Sequence, residues 1–416
     1  MTETIIIVGA GHAAGQAAAS LRQKGFSGRL IMIGDEPYVP YQRPPLSKAF
    51  LAGELELERL FFKPENFWPK HDVETMLSTR VKEIDRKRKT ITLDNSEIIA
   101  YNKLILATGS RVRELHIPGH TLKGVHYLRG IDDVLAIQSA FKKGARLVIV
   151  GGGYIGLEVA AVGRKNGLDV TVMETESRVM NRVVATEISQ FFQNMHAEEG
   201  VKLELGRRVQ ELQGDKNGQL TEVACMDGFT VPADICIIGI GIIPNIELAE
   251  AADILCSDGI IVDEHCRTLD EDIYAIGDCT RHPNPILGRH LRLESVHNAI
   301  EQGKTAAAAI CGTPVAYAQV PWFWSDQYNV KLQITGLTEG YDQFVMRGDP
   351  ASRSFAAFYL QDGKLLAVDA INSPREFMLG KKLITAGAKF TPEILADMEQ
   401  DFKTLATAAL EVAKST

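Results

Sequence analysis

The sequence predicts an α/β protein with two parallel-sheet domains, one inserted in the other, and an α+β domain after them. Three observations predict it. A glycine turn, Gly9-x-Gly11-x-x-Ala14, follows the apolar run Thr4 to Val8 and precedes an apolar-periodic stretch from Ala13 to Leu21. A second, Gly151-x-Gly153-x-x-Gly156, follows Leu147 to Val150 and precedes Tyr154 to Val162. From Pro321 the pattern changes to short alternating segments, among them Lys331 to Ile334, Phe355 to Leu360 and Lys364 to Asp369, and a helix-like tail starts at Thr391. Unbroken apolar runs suit strands buried on both faces, as in parallel sheets, whereas alternation suits antiparallel strands with one wet face.

Each glycine turn matches the dinucleotide fingerprint of a Rossmann-like domain. The turn is tight, and a pyrophosphate must approach bare amides at a helix N-terminus, where partial positive charge collects. Gly9, Gly11, Ala13 and Ala14 are the expected contacts in the first, and Gly151, Gly153, Tyr154, Ile155 and Gly156 in the second. Two nucleotides can therefore be held at once. In the first domain the run Arg29 to Ile33 passes into Gly34 and Asp35, leaving a ribose acceptor. In the second, Asp169 to Met173 ends on Glu174, where a carboxylate accepts both ribose hydroxyls of NAD. The same carboxylate repels the 2′-phosphate of NADP by up to about 4 kcal/mol per unit charge at ~4 Å. NADH is the expected donor.

The segment Arg43-Pro44-Pro45-Leu46-Ser47-Lys48 opens a long connection in which Arg43 can meet phosphate and Lys48 can reach a ring. Leu104 to Gly109, closing in Ala107-Thr108-Gly109, and Ile273 to Asp278, closing in Gly277-Asp278, are apolar strands that end in small polar turns. On these residues the chain resembles the two-dinucleotide-fold flavoprotein reductases. There the matching segments lie along FAD, and the aspartate at 278 would bond the ribityl chain. With RPPLSK at 43–48, GGGYIGLE at 151–158, IIGIGIIPN at 237–245, ESVHNAIEQ at 294–302 and PWFWSDQ at 321–327, the resemblance covers essentially the whole chain. It narrows to the NADH-dependent ferredoxin reductases that feed haem monooxygenases and aromatic-ring dioxygenases.

That resemblance implies further roles. Val81 and Arg129 match contacts to FAD, Gly241 falls on the NAD side, and Ser295 and Val296 start a helix aimed at the flavin's pyrimidine edge. Lys48 and Glu158 would pair at the isoalloxazine N5 edge, with Glu158 on the first turn of the NAD-binding helix. Trp324 would shield the ring, while Trp322 is expected in the core. Hydride passes directly from nicotinamide to flavin, so no general base is needed. Arg289, Arg292 and Lys304 are candidates for docking an acidic [2Fe–2S] ferredoxin. Acceptors left open are a rubredoxin, a quinone or oxygen, and an apoptosis-inducing-factor-like protein switched by NADH is the reading from another class.

Composition restricts the alternatives. The six cysteines, at 225, 236, 256, 266, 279 and 311, show no CxxC or CxxxxC spacing, which excludes a redox disulfide of that kind. No metal-binding cluster is visible, so the chain is expected to carry no iron–sulfur centre and its acceptor to be a separate protein. A net charge of −8 argues against a nucleic-acid partner. No apolar run approaches the roughly 20 residues of a spanning helix, and the first strand starts at residue 4, so a cytoplasmic protein without membrane attachment, monomeric or weakly dimeric, is expected. The predicted FAD-binding domain covers 1–110 and 242–320, the NAD-binding domain 111–241, and the C-terminal α+β domain 321–416.

Overall fold

The computed structural model describes residues 3–415. Five parallel strands form the first sheet, in the order Ile273–Ala275, Lys103–Leu106, Thr4–Val8, Arg29–Ile33 and Val73–Met76. The strand leading to Gly9 is central, so Ile5, Ile6 and Ile7 are covered on every side and wholly buried. Each such side chain contributes roughly 1.5–3 kcal/mol on burial. A second parallel sheet runs Lys202–Leu205, Asp169–Glu174, Arg146–Val150, Ile235–Ile238, Val125–Tyr127, and the strand before Gly151 is again central. The chain also forms one three-stranded antiparallel sheet in each half, Val81–Asp85 with Thr90–Leu93 and Ile98–Ala100, and Val209–Gly214 with Leu220–Cys225 and Thr230–Pro232. The two fingerprints therefore head two copies of one architecture.

The chain divides into two compact units. One gathers the residues up to Gln42, Leu57–Arg111 and Ile242–Pro321; the other gathers Arg43–Glu56, Val112–Gly241 and the chain from Trp322. In the first unit, helix His12–Gln23 packs on helix Val296–Ile310 through small residues. A Cβ on Gly303 would stand 3.0 Å from the Ala13 carbonyl oxygen, and Ala17, Ala306 and Ala307 are buried beside it.

The second unit ends in an antiparallel sheet ordered Trp322–Gln327, Val330–Gly336, Lys364–Ile371, Phe355–Gln361, Gln343–Arg347. Leu332, Phe355 and Tyr359 of that sheet share a core with Leu157, Ile188 and Phe192 of helices Tyr154–Lys165 and Thr186–Glu198. The tail expected as one helix from Thr391 is two, Pro392–Ala396 and Phe402–Ser415. Buried Arg347 accounts for the break: its guanidinium takes the carbonyl of Leu395, near the end of the first helix, and those of Asp397 and Gln400 in the connection that follows. Helix Pro374–Thr385 was not foreseen, although Ser373-Pro374 is a start signal. Among the described residues no helix is long and apolar enough to cross a membrane.

Candidate active site

In the first unit Gly9 has φ +117°, and a Cβ there would fall 2.1 Å from the Ala107 carbonyl oxygen. Only glycine fits. Gly11 caps helix His12–Gln23 without a side-chain bond, and a Cβ on it would meet nothing within 4 Å. The helix N-terminus is thus bare and open, as an approaching pyrophosphate requires. Ala13 and Ala14 are buried behind it. Asp35 carries a salt bridge to Arg80 at 2.9 Å, both side chains largely exposed. Thr108 Oγ1 donates to the Asn245 carbonyl at 2.6 Å and Asn245 Nδ2 returns a bond to the Thr108 carbonyl, which pins the Ala107–Gly109 turn. Gly277 has φ +82° and donates its amide to Gln302 Oε1, while Ser110 Oγ donates to Asp278 Oδ2 at 2.8 Å. Val81 is buried, and Ser295 caps helix Val296–Ile310 by accepting the Asn298 amide.

Sequence reasoning missed His12, the first residue of its helix. Burial pushes its imidazole down to about 4, so it stays neutral, and its buried Nδ1 has no hydrogen-bond partner among the described residues. A buried nitrogen without a partner beside an open glycine cradle is a fit for a ligand oxygen. The fingerprint pattern treats position 12 as free, so no motif signalled it.

In the second unit Gly151 has φ +114°, with a Cβ position 2.4 Å from the Gly239 carbonyl oxygen; Gly153 caps its helix over open space. A Cβ on Gly156 would stand 2.1 Å from the Gly151 oxygen, so the helix approaches the loop this closely only because residue 156 is glycine. Glu174 Oε2 accepts the Gly152 amide at 2.7 Å and Oε1 accepts the Glu176 amide at 2.9 Å, which holds the carboxylate beside the turn. Arg178 is committed elsewhere, to the carbonyls of Val184 and Asn181 and to Ser189 Oγ. Ile155 is nearly half exposed, and Gly241, at φ +108°, has open space at its Cβ position.

Lys48 and Glu158 meet. Lys48 Nζ lies 2.7 Å from Glu158 Oε2, Ser47 Oγ donates to the same oxygen at 2.5 Å, and Ser325 Oγ donates to Oε1 at 2.6 Å. Glu158 is on the second turn of helix Tyr154–Lys165 rather than the first, and points into the interior with 3% exposure. Burial raises its carboxyl above the usual range; the charge and bond of Lys48 and the hydroxyls of Ser325 and Ser47 oppose the rise. Arg43 Nη1 donates to the Arg129 carbonyl at 2.6 Å, and Asp133 accepts the amides of Arg129 and Gly130. Trp324 is half-buried, its ring 5.5 Å from that of Trp322. Trp322 is half-buried too, against Trp324 and Phe377, not in the core as expected. Adjacent residues on a strand face opposite sides, so positions 322 and 324 share a face and a fate.

The three docking candidates differ in freedom. Arg292 is bonded to Asp258 at 3.1 Å and to Glu294, with 17% of its side chain exposed; Lys304 bonds Glu301 at 2.8 Å. Arg289 lies on strand Arg289–Leu291. All six cysteines are free.

Two Rossmann-like sheets, each presenting a glycine turn at a bare helix N-terminus, define a flavin- and pyridine-nucleotide-dependent oxidoreductase. The chain belongs to the pyridine nucleotide-disulphide oxidoreductase family, which matches residues 3–303, and residues 322–406 match the reductase C-terminal family. FAD and a nicotinamide dinucleotide, NAD(P)H, are its cofactors. It is 43% identical to rhodocoxin reductase of Rhodococcus erythropolis over 96% of this chain and 93% of that one. Its fold superposes on putidaredoxin reductase in a covalent complex with putidaredoxin, with TM-score 0.96, 39% identity and coverage of 98% and 99%. It is likewise similar to a ferredoxin reductase for the CYP199A2 system from Rhodopseudomonas palustris, with TM-score 0.93, 42% identity and coverage of 97% and 100%.

Proposed function

We propose that this chain is an NADH-dependent ferredoxin reductase, taking two electrons as hydride and delivering them singly to a [2Fe–2S] ferredoxin that serves a haem monooxygenase or a ring-hydroxylating dioxygenase. The observation that carries this reading is the likeness, over 98% of this chain, to a reductase solved in covalent complex with putidaredoxin. Bound FAD supplies the change from two-electron to one-electron chemistry. The chain supplies position. Gly9, Gly11, Ala13 and Ala14, with His12 beside them, hold the FAD pyrophosphate, Asp35 its ribose, and Asp278 its ribityl chain. Arg43, Val81, Ala107, Thr108, Gly109, Arg129, Gly277, Ser295 and Val296 complete that contact set. Gly151, Gly153, Tyr154, Ile155, Gly156 and Gly241 receive NADH, and Glu174 accepts its ribose hydroxyls.

Lys48 acts on the flavin ring, Glu158 orients Lys48, and Trp324 shields the ring edge. A cytoplasmic setting suits six unpaired thiols. The test is NADH oxidation by the purified yellow protein with a panel of ferredoxins and a rubredoxin. Fast turnover with at least one ferredoxin is expected. Turnover with the rubredoxin alone, or with neither, assigns another acceptor or an NADH-switched role.

A further inference from the structure

Glu158 is the inner end of a longer buried polar chain. Ser325 Oγ donates to Glu158 Oε1 at 2.6 Å, and Gln327 Nε2 donates to Ser325 Oγ at 3.1 Å. Gln327 Oε1 then meets His196 Nε2 at 2.8 Å, and His196 Nδ1 meets the Tyr328 hydroxyl at 3.3 Å. Ser325 and His196 are fully buried and Gln327 is 1% exposed, whereas Tyr328 is half-buried. The residues come from helix Tyr154–Lys165, helix Thr186–Glu198, strand Trp322–Gln327 and the turn after it, so the sequence did not place them together.

The direction of this chain is fixed at its carboxylate. An ionised Glu158 can only accept, so Ser325 gives it the one hydroxyl proton and offers Gln327 a lone pair. Gln327 must then turn its NH2 inward and its oxygen outward. His196 consequently carries its proton on Nε2, and Nδ1 accepts from Tyr328. Tyr328 occupies the first central position of the two-residue turn between Gln327 and Val330, at φ +53°, a conformation that favours glycine. The tyrosine there, with its hydroxyl on His196, completes the chain.

We propose that Tyr328, His196, Gln327 and Ser325 form a directional relay that holds Glu158 as the anion paired with Lys48, making His196 a positioning residue for hydride transfer from NADH. This rests on the role of Glu158 in the function proposed above. Protonating Glu158 lets Ser325 accept, which reverses each bond outward to Tyr328, so the state of the buried pair is read near the surface. Burial holds the His196 imidazole down to about 4, so it stays neutral and keeps one donor and one acceptor. Lys48 and Ser47 act on Oε2, leaving Oε1 to the relay. Tyr154 faces Glu158 from its own helix with Asp369 near it, and Glu199 and Arg164 lie by Tyr328.

Nitrogen-15 NMR of histidine-labelled, flavin-loaded wild type tests the relay directly, with the signal assigned by its loss in His196→Phe. A neutral ring is expected from about pH 5 to pH 9, protonated on Nε2 wherever Glu158 is ionised and shifting toward Nδ1 in the acid limb. In Ser325→Ala, Gln327→Leu and His196→Phe, the acid limb of NADH-dependent ferricyanide reduction is expected to move up by about half a pH unit or more, because each change favours the neutral carboxyl. A proton on Nδ1 above the acid limb of activity overturns the proposal, as does a uniform loss of rate or melting temperature with an unmoved acid limb. If wild-type holoprotein oxidises no NADH, the reductase reading fails instead, and the tautomer alone decides the relay.

Discussion

Under the proposed function, Glu174 would set the choice of nucleotide. Glu174 is held beside the glycine turn by the amides of Gly152 and Glu176, where a 2′-phosphate would meet its charge. Arg178, four residues on, cannot compensate, because its guanidinium is already bonded to two carbonyls and a hydroxyl. Glu174→Ala is therefore expected to lower the preference for NADH over NADPH about tenfold, ~1.4 kcal/mol, read from kcat/KM with each nucleotide. An unchanged ratio would mean another group selects the nucleotide. Asp369 offers a different test. It is wholly buried, and burial raises its carboxyl to about 7, against a bond from Tyr359 that favours the anion. The unfolded value is near 4, so the native state binds the extra proton between pH 4 and 7. Stability from this group is full below about pH 4 and falls as the pH rises through 7, by up to about 4 kcal/mol. Asp369→Asn keeps an acceptor for Tyr359 and removes the charge. Its melting temperature relative to wild type should rise from pH 5 to pH 8; a constant offset would show that Asp369 is ionised throughout.

The two glycine turns should be separable by mutation. Gly9→Ala would place a Cβ 2.1 Å from the Ala107 oxygen at φ +117°, a conformation alanine resists. The expected product is folded or partly folded protein that has lost its flavin absorbance. Gly156→Ala, with its Cβ 2.1 Å from the Gly151 oxygen, should instead keep the flavin and weaken NADH at least about tenfold, measured by titration. Loss of flavin from both variants would mean the sites are not separable. These turns, the strands Thr4–Val8 and Arg29–Ile33 and the fingerprint helices were legible in the sequence because apolar runs and glycine spacing are local signals. Helix Pro374–Thr385 and the break after Ala396 were not. The first is amphipathic and short within a region of alternating strands, and the second depends on Arg347, about fifty residues away in the chain. The Lys48–Glu158 pair came from resemblance, whereas Ser325, Gln327 and His196 around it carry no motif, since a buried hydrogen bond between distant segments leaves no periodicity.

At the scale of the whole molecule, electrons have to enter and leave without cysteine chemistry and against the overall charge. Cys225, Cys236, Cys266 and Cys279 are buried and Cys256 and Cys311 partly so; burial raises every one of these thiols, Cys236 to about 12 and Cys256 to about 11. Few thiolates form near neutral pH, so alkylation under native conditions should leave NADH-driven ferricyanide reduction largely intact. Stoichiometric loss of that activity with FAD still bound would restore a role for cysteine. Docking is constrained by the net charge of −8, which repels an acidic partner except through local cations. Arg292 is already divided between Asp258 and Glu294, and Lys304 is paired with Glu301 but half exposed. Reversing Arg292 would gather three acids and disturb local structure, so Lys304 is the cleaner probe. An exposed ion pair holds its partner weakly, by ~1 kcal/mol or less, and leaves Lys304 able to turn toward an incoming carboxylate. Charges at a rim mainly set association rate, and screening acts beyond a Debye length of about 8 Å at physiological salt. Lys304→Glu is accordingly expected to slow reduction of an acidic ferredoxin severalfold at low ionic strength, with the difference shrinking as salt is added, while ferricyanide reduction stays near wild type. Equal losses with both acceptors would place the damage at the flavin, and no loss with either would move the docking surface away from helix Val296–Ile310.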